Sequence, residues 1–194
     1  METREMLIGN QGVCAFVLLR GGIVSKFIWK DSHIIYPYRI IGEKRRGGIP
    51  ICFPFFGASK EEFAEEIPQH GWLRNESLEC VDFNETHSLS LKGFNMGRES
   101  YPWSLKYKVD LSISKARALE IKLQVKRLTD GISNEAPINP AFHPYFNNLG
   151  QRSLEIGSEK ITDFSSEAKI IPIKNRALKI DLGERKVEMR LGGD

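Results

Sequence analysis

Cysteine is scarce in this chain. Cys14, Cys52 and Cys80 are the only three in 194 residues, and no two of them have Cys-x-x-Cys spacing. An odd, unpaired set excludes a disulfide framework as the basis of the fold and points to a reducing compartment. Histidine is scarce too: four residues, no His-x-His or His-Glu-x-x-His arrangement, and no carboxylate beside His70 or His143 to complete a metal triad. A metal centre is therefore not expected. The sequence lacks the Gly-x-Ser-x-Gly elbow of a serine hydrolase, and the glycines of "RRGGIP" do not make a Gly-x-Gly-x-x-Gly phosphate loop. No apolar run approaches the roughly 18 residues of a membrane span, and the start, "METREMLIGN", lacks the basic residues and apolar stretch of a secretory signal. A cytoplasmic location without a membrane partner is the expectation.

A strong charge imbalance is missing as well. The net charge is +3, the 28 basic residues are scattered, and the only dense basic run is "EKRRGG" at 43–48. A short basic run is by default a solvated loop, so no nucleic-acid partner is expected. Phosphate on a small ligand stays open.

What the chain does have is a composition of 41% hydrophobic and 27% charged residues, ordinary for a soluble globular protein. Its length fits a single domain over 1–194. The dominant period is two. Leu105, Tyr107, Val109, Leu111 and Ile113 alternate with polar residues, as do Leu119, Ile121, Leu123 and Val125 after the link "SKAR". That pattern predicts a hairpin with one wet face. Leu89 with Leu91, "LEI" at 154–156, and Val187, Met189 and Leu191 alternate in the same way, while "VCAFVLLR" at 13–20 reads as a buried strand. Many short strands at short spacing predict an all-β, antiparallel β-sandwich. No internal repeat or low-complexity tract stands out. One segment differs: in "SKEEFAEEIP", Ser59 and Glu62 have capping-box spacing and Pro68 blocks continuation, predicting about two helical turns over 59–67.

Two histidines stand apart from the other two. His33 in "KDSHIIYP" and His87 in "NETHSL" sit among turn formers or at strand starts and read as surface residues. His70 lies in "PQHGWLRN", and His143 lies in "NPAFHPYFNN" between Pro140 and Pro144. A following proline pushes a residue to extended backbone, so His143 rides on a stiffened segment. Phe142, Tyr145 and Phe146 beside it offer a packing floor or a sugar-stacking surface. On the residues alone, the plain alternative is a pair of half-buried, hydrogen-bonded imidazoles.

The motifs "RRGGIPICFPFFG" at 45–57, "PQHGWLRN" at 68–75 and "FHPYFNN" at 142–148 follow one another in an order and at separations that resemble the aldose 1-epimerase superfamily. The resemblance is greatest to its hexose-6-phosphate mutarotase branch, is strengthened by "IVSKFIW" followed by "IIYPY", and covers nearly the whole chain. It implies a galactose mutarotase-like sandwich and an isomerase that interconverts the α and β anomers of a hexose or hexose 6-phosphate without a cofactor. It also implies roles: His143 as the acid that protonates the ring oxygen, His70 as the residue that holds that oxygen and its neighbours, and Arg46, Gln69 and Arg74 as substrate contacts. The arginines would take the phosphate. The chemistry suits these residue types, because imidazole titrates near neutrality and guanidinium can donate two parallel hydrogen bonds to a phosphate. Gly71, with no Cβ, would let the main chain approach the sugar.

Two positions depart from the family pattern. Asn175, in "IKNRALKI", stands near where the family carries a substrate-binding aspartate, and Asp181 is less well placed. The family's base is a glutamate near the C-terminus, and "RLGGD" ends the sequence before that region; Glu184 and Glu188 fall in a strand-like segment. The resemblance therefore implies missing C-terminal strands, an exposed sheet edge there that can pair with another chain, and impaired activity. A non-catalytic sugar or sugar-phosphate binding module is the alternative. A plain β-sandwich interaction domain with structural histidines is the third reading.

Overall fold

A computed structural model describes residues 4–10, 12–42, 44–58, 63, 67–128, 135–147, 154–156, 159–161, 177–181 and 186–190. They belong to two compact units, Met1–Phe146 and Asn147–Asp194.

In the first unit, strands β1 (Glu5–Asn10), β2 (Val13–Leu18), β3 (Ile23–Trp29) and β4 (Ser32–His33) form an antiparallel sheet in that order. A small hairpin, β5 (Arg39–Ile41) with β6 (Lys44–Arg46), precedes the short strand β7 (Ile51–Cys52). A second antiparallel sheet is a meander of β8 (Glu79–Asn84), β9 (Ser88–Asn95), β10 (Leu105–Ile113) and β11 (Leu119–Arg127). The two-residue strand β12 (Ala141–Phe142) returns to pair with β7. In the second unit, β13 (Leu154–Ile156), β14 (Glu159–Ile161), β15 (Ala177–Asp181) and β16 (Lys186–Arg190) are ordered β14-β13-β15-β16, all antiparallel, with β16 an outer strand.

The antiparallel sandwich predicted from the period of two is the fold observed. Alternation puts Ala15 and Val17 of β2 on the same inward face, and Tyr107, Val109 and Leu111 of β10 on theirs; the two faces meet in one core with Ile8, Val24, Leu89 and Leu91. Lys106 and Lys108, between the inward residues of β10, are exposed. The predicted β10–β11 hairpin forms in register from Leu105 opposite Arg127 to Ile113 opposite Leu119. Its link turns through Arg117, whose φ is +60°. Because β11 is the outer strand, its apolar residues are only half-buried. The strand β1 escaped the sequence reading, since "EMLIGN" shows little alternation and only Ile8 in it is fully buried.

Of the predicted helix over 59–67, Phe63 and Ile67 are the described residues. Ile67 N–H donates to the Phe63 carbonyl at 2.9 Å, a single helical closure. Among the described residues no helix is long and apolar enough to cross a membrane.

The burial difference between the inner and outer strands sets an expectation. Leu91 is fully buried and Leu123 is not. Leu91→Ala should lower unfolding stability by about 2–5 kcal/mol, the cost of the lost burial plus a cavity, and Leu123→Ala by less than half as much. Urea unfolding followed by tryptophan fluorescence would check this, and equal losses would mean that β11 is as deeply packed as β9.

Candidate active site

The three sequence motifs meet because residues 48–57 run as a spine between the other two. On one side, Ala141 pairs with Cys52 and Phe142 with Ile51, His143 N–H donates to the Pro50 carbonyl at 3.0 Å, and Tyr145 N–H donates to the Gly48 carbonyl at 3.0 Å. On the other, Phe53 bridges to Gly71 and Leu73 N–H reaches the Phe53 carbonyl at 3.3 Å. Gly71 has φ +75°, and a Cβ on it would lie 2.0 Å from the Phe53 carbonyl oxygen. The missing side chain is thus needed for strand contact inside the protein. Behind this turn, Phe53 packs against Trp72 and Tyr107, with ring centroids 6.1 and 5.7 Å apart. Tyr107 donates its hydroxyl to the Glu76 carboxylate, tying the loop after Arg74 to the second sheet.

His70 is held twice by Gly57. Its N–H donates to the Gly57 carbonyl at 2.8 Å, and Gly57 N–H donates to its Nδ1 at 3.1 Å. The residue has φ +66°, a left-handed backbone uncommon outside glycine, which aims the ring. Since Nδ1 accepts a hydrogen bond, the neutral ring carries its proton on Nε2 and offers it as a donor. Burial, then the positive charges of Arg74 and His143, hold the His70 pKa below its ordinary value.

His143 shares the site. Its ring centroid is 5.5 Å from that of His70 and 4.8 Å from Tyr145, and Phe56 packs on both imidazoles at 5.1 and 5.6 Å. Burial lowers the His143 pKa most; a hydrogen bond to its own main chain raises it, and Arg74 and Arg46 lower it further.

Both histidines line one cavity of about 520 Å³. Five cationic side chains line it as well, Arg20, Lys44, Arg45, Arg46 and Arg74, and among the described lining residues there is no carboxylate. Arg46 and Arg74, the arginines expected to contact substrate, both line this cavity. Arg46 is exposed and its Nη1 donates to the Arg45 carbonyl at 3.2 Å, while Arg74 Nη2 donates to the Gln69 carbonyl at 2.8 Å. Gln69 itself is exposed and does not line the cavity; its observed contribution is that main-chain acceptor. Asn175 lies outside the described residues. His87 is exposed, its ring 2.9 Å from Thr86 Oγ1, and it lies apart from the cavity lining. Sequence reading missed Arg20, Lys44 and Arg45. A signal existed for Arg20: the tetrad "RGGI" occurs twice, at 20–23 and 46–49, and both arginines face this cavity.

Comparison with known proteins agrees with the fold. The sequence model of the aldose 1-epimerase family matches residues 5–186. A galactose mutarotase related enzyme from Lactobacillus acidophilus is 18% identical with a TM-score of 0.54, over 66% of this chain and 44% of that one. A protein from Synechocystis is 17% identical with a TM-score of 0.63, over 93% and 69%. A galactose mutarotase-like protein from Lactobacillus casei is 20% identical with a TM-score of 0.60, over 74% and 50%. The chain thus spans between 44 and 69% of the lengths of these three neighbours.

Two outcomes follow from the geometry. Gly71→Ala should cost more than about 1 kcal/mol, because the new methyl meets main chain at a positive φ; an unfolding midpoint equal to the wild type would contradict the close approach to Phe53. The second concerns pH. Both imidazoles have folded pKa values below the ordinary 6.5, so between those values the unfolded chain binds more protons. Their contribution to stability is complete above pH 6.5 and is lost as the pH falls from there toward the folded values. NMR titration of the ring protons should give midpoints under 6.5, and the His70→Gln/His143→Gln variant should lose less stability between pH 7 and the folded midpoints than the wild type does.

Proposed function

Because the chain belongs to the aldose 1-epimerase family, and because its first unit gathers two imidazoles and five cations around one cavity, we propose that it binds a hexose 6-phosphate and exchanges its anomers. The observation that carries this reading is the cation-rich lining, with no carboxylate among its described residues. A neutral sugar needs no such field, whereas a phosphate dianion gains charge-assisted hydrogen bonds from it.

Ring opening needs an acid at the ring oxygen and a base at the anomeric hydroxyl. His70, neutral with its proton on Nε2, suits a hydrogen-bond donor that orients the ring. His143 is the acid in this reading. Burial is the largest cause of its lowered pKa; the lesser contributions of Arg74 and Arg46 are the part that a bound dianion would offset, which favours protonation of the imidazole. The base is the open position. Since no carboxylate lines the cavity among the described residues, a sugar-phosphate binder that keeps the cleft without turnover is the second reading.

Exchange between the α and β anomers of glucose 6-phosphate, measured by NMR, tests both. A positioned acid is worth about 10²- to 10⁴-fold, so acceleration that collapses in His143→Ala supports the enzyme, and tight binding without acceleration supports the binder. Arg74→Ala should weaken glucose 6-phosphate binding by on the order of tenfold or more and leave glucose nearly unaffected. Equal losses for both sugars would remove the phosphate from the proposal.

A further inference from the structure

The five cations around the cavity are not equally free to act. Arg45 donates to the Asn75 side-chain carbonyl, and Arg46, exposed, gives Nη1 to the Arg45 carbonyl. Arg74 gives Nη2 to the Gln69 carbonyl at 2.8 Å, but its Nε–H, like that of Arg20, is buried and has no hydrogen-bond partner among the described residues. An unpaired buried donor is costly. Two on one cavity wall make a cluster that the fold leaves unsatisfied.

Their neighbourhood is built. Arg20 bridges to Ser77, Gly21 N–H donates to the Glu76 carbonyl at 2.7 Å, and a Cβ on Gly21 would lie 2.7 Å from Arg74 Cα. The main chains at 20–21 and 74–77 therefore run in contact, and glycine at φ +74° is what lets them. From this junction both guanidinium groups reach the same cavity as His70 and His143. The second "RGG" turn, at 46–48, joins the first through the Val24–Ile49 bridge, yet its arginine is the exposed and committed one.

We propose that Arg20 and Arg74 form the phosphoryl subsite of this cavity, and that Arg46 acts at its rim as an attracting charge. The anionic group gives each buried Nε–H the acceptor that the described residues withhold. Two forks on one phosphate supply both charge and orientation. Arg20 thereby becomes the residue that separates phosphorylated from free sugar. The identity of the ligand rests on the sugar-phosphate reading above; the location of the subsite does not.

The arginine Nε–Hε resonances report this directly in a 15N-labelled full chain, with assignments from Arg20→Lys, Arg74→Lys and Arg46→Lys. Inorganic phosphate and glucose 6-phosphate should each shift the Arg20 and Arg74 signals, and glucose should shift neither. Arg20→Gln should weaken both phosphate ligands by about tenfold while leaving glucose affinity and the His143 ring signals unchanged; Arg46→Gln should cost less and act mainly at low salt. Shifts confined to Arg45 and Arg46, or no change of phosphate affinity in Arg20→Gln, would overturn the subsite even where glucose 6-phosphate is preferred to glucose. Equal affinity for glucose and glucose 6-phosphate would instead sink the sugar-phosphate reading, and the inorganic phosphate titration would still decide where an anion sits.

Discussion

The site depends on the main chain of residues 48–57. This stretch accepts hydrogen bonds from Tyr145 and His143 on one side and from Leu73 and His70 on the other, so the separation of the two imidazoles is set by backbone geometry rather than by side-chain choice. Backbone bonds of this kind are each modest in net energy, yet leaving any one unmade in a buried position is expensive. The two histidine loops are therefore bound to a common spine, and the spine is bound to the sandwich through Phe53, which packs on Tyr107 of the second sheet. The spacing of the two imidazoles is a by-product of packing.

Charge is the second determinant, and it acts through the first. Placing Arg20, Arg45, Arg46 and Arg74 around half-buried imidazoles, with no carboxylate among the described lining residues, would be a poor way to stabilise a fold. Like charges repel, and burial first, with this field added to it, pushes both histidines toward neutrality. On the proposed sugar-phosphate reading, a dianion would be favoured by the same field that disfavours imidazolium, and would partly offset that field at the imidazoles.

How much of this was legible in the sequence differs from element to element. The β10–β11 hairpin could be read residue by residue, because one face meets the core and the other meets water, and the pleat writes that contrast as strict alternation. β1 could not, since an outer strand with only Ile8 fully buried has little contrast to show. His70 and His143 were separable from His33 and His87 by the glycine, proline and aromatic residues around them, which is where backbone constraint leaves its mark. Gly71 was noticed for its missing Cβ, but its contact with Phe53 was not legible, because a sequence does not say which main chain comes close. Nor was the bond from Arg74 to the Gln69 carbonyl, since main-chain acceptors carry no sequence mark.

Arg20 was invisible for a different reason. It stands about fifty residues from the motif whose guanidinium it joins, and only the pairing of the chain at 20–21 with that at 74–77 brings the two together. Nothing in local composition marks it apart from the duplicated "RGG". That duplication has a physical reading now: all four of its glycines have positive φ, so each tetrad makes a left-handed turn directly after an arginine. The same turn is used twice to deliver a cation to the same cavity, once from the sandwich edge with its Nε–H unpaired and once from the hairpin with its guanidinium already committed. Identical local sequences thus acquire unequal hydrogen bonding from their surroundings.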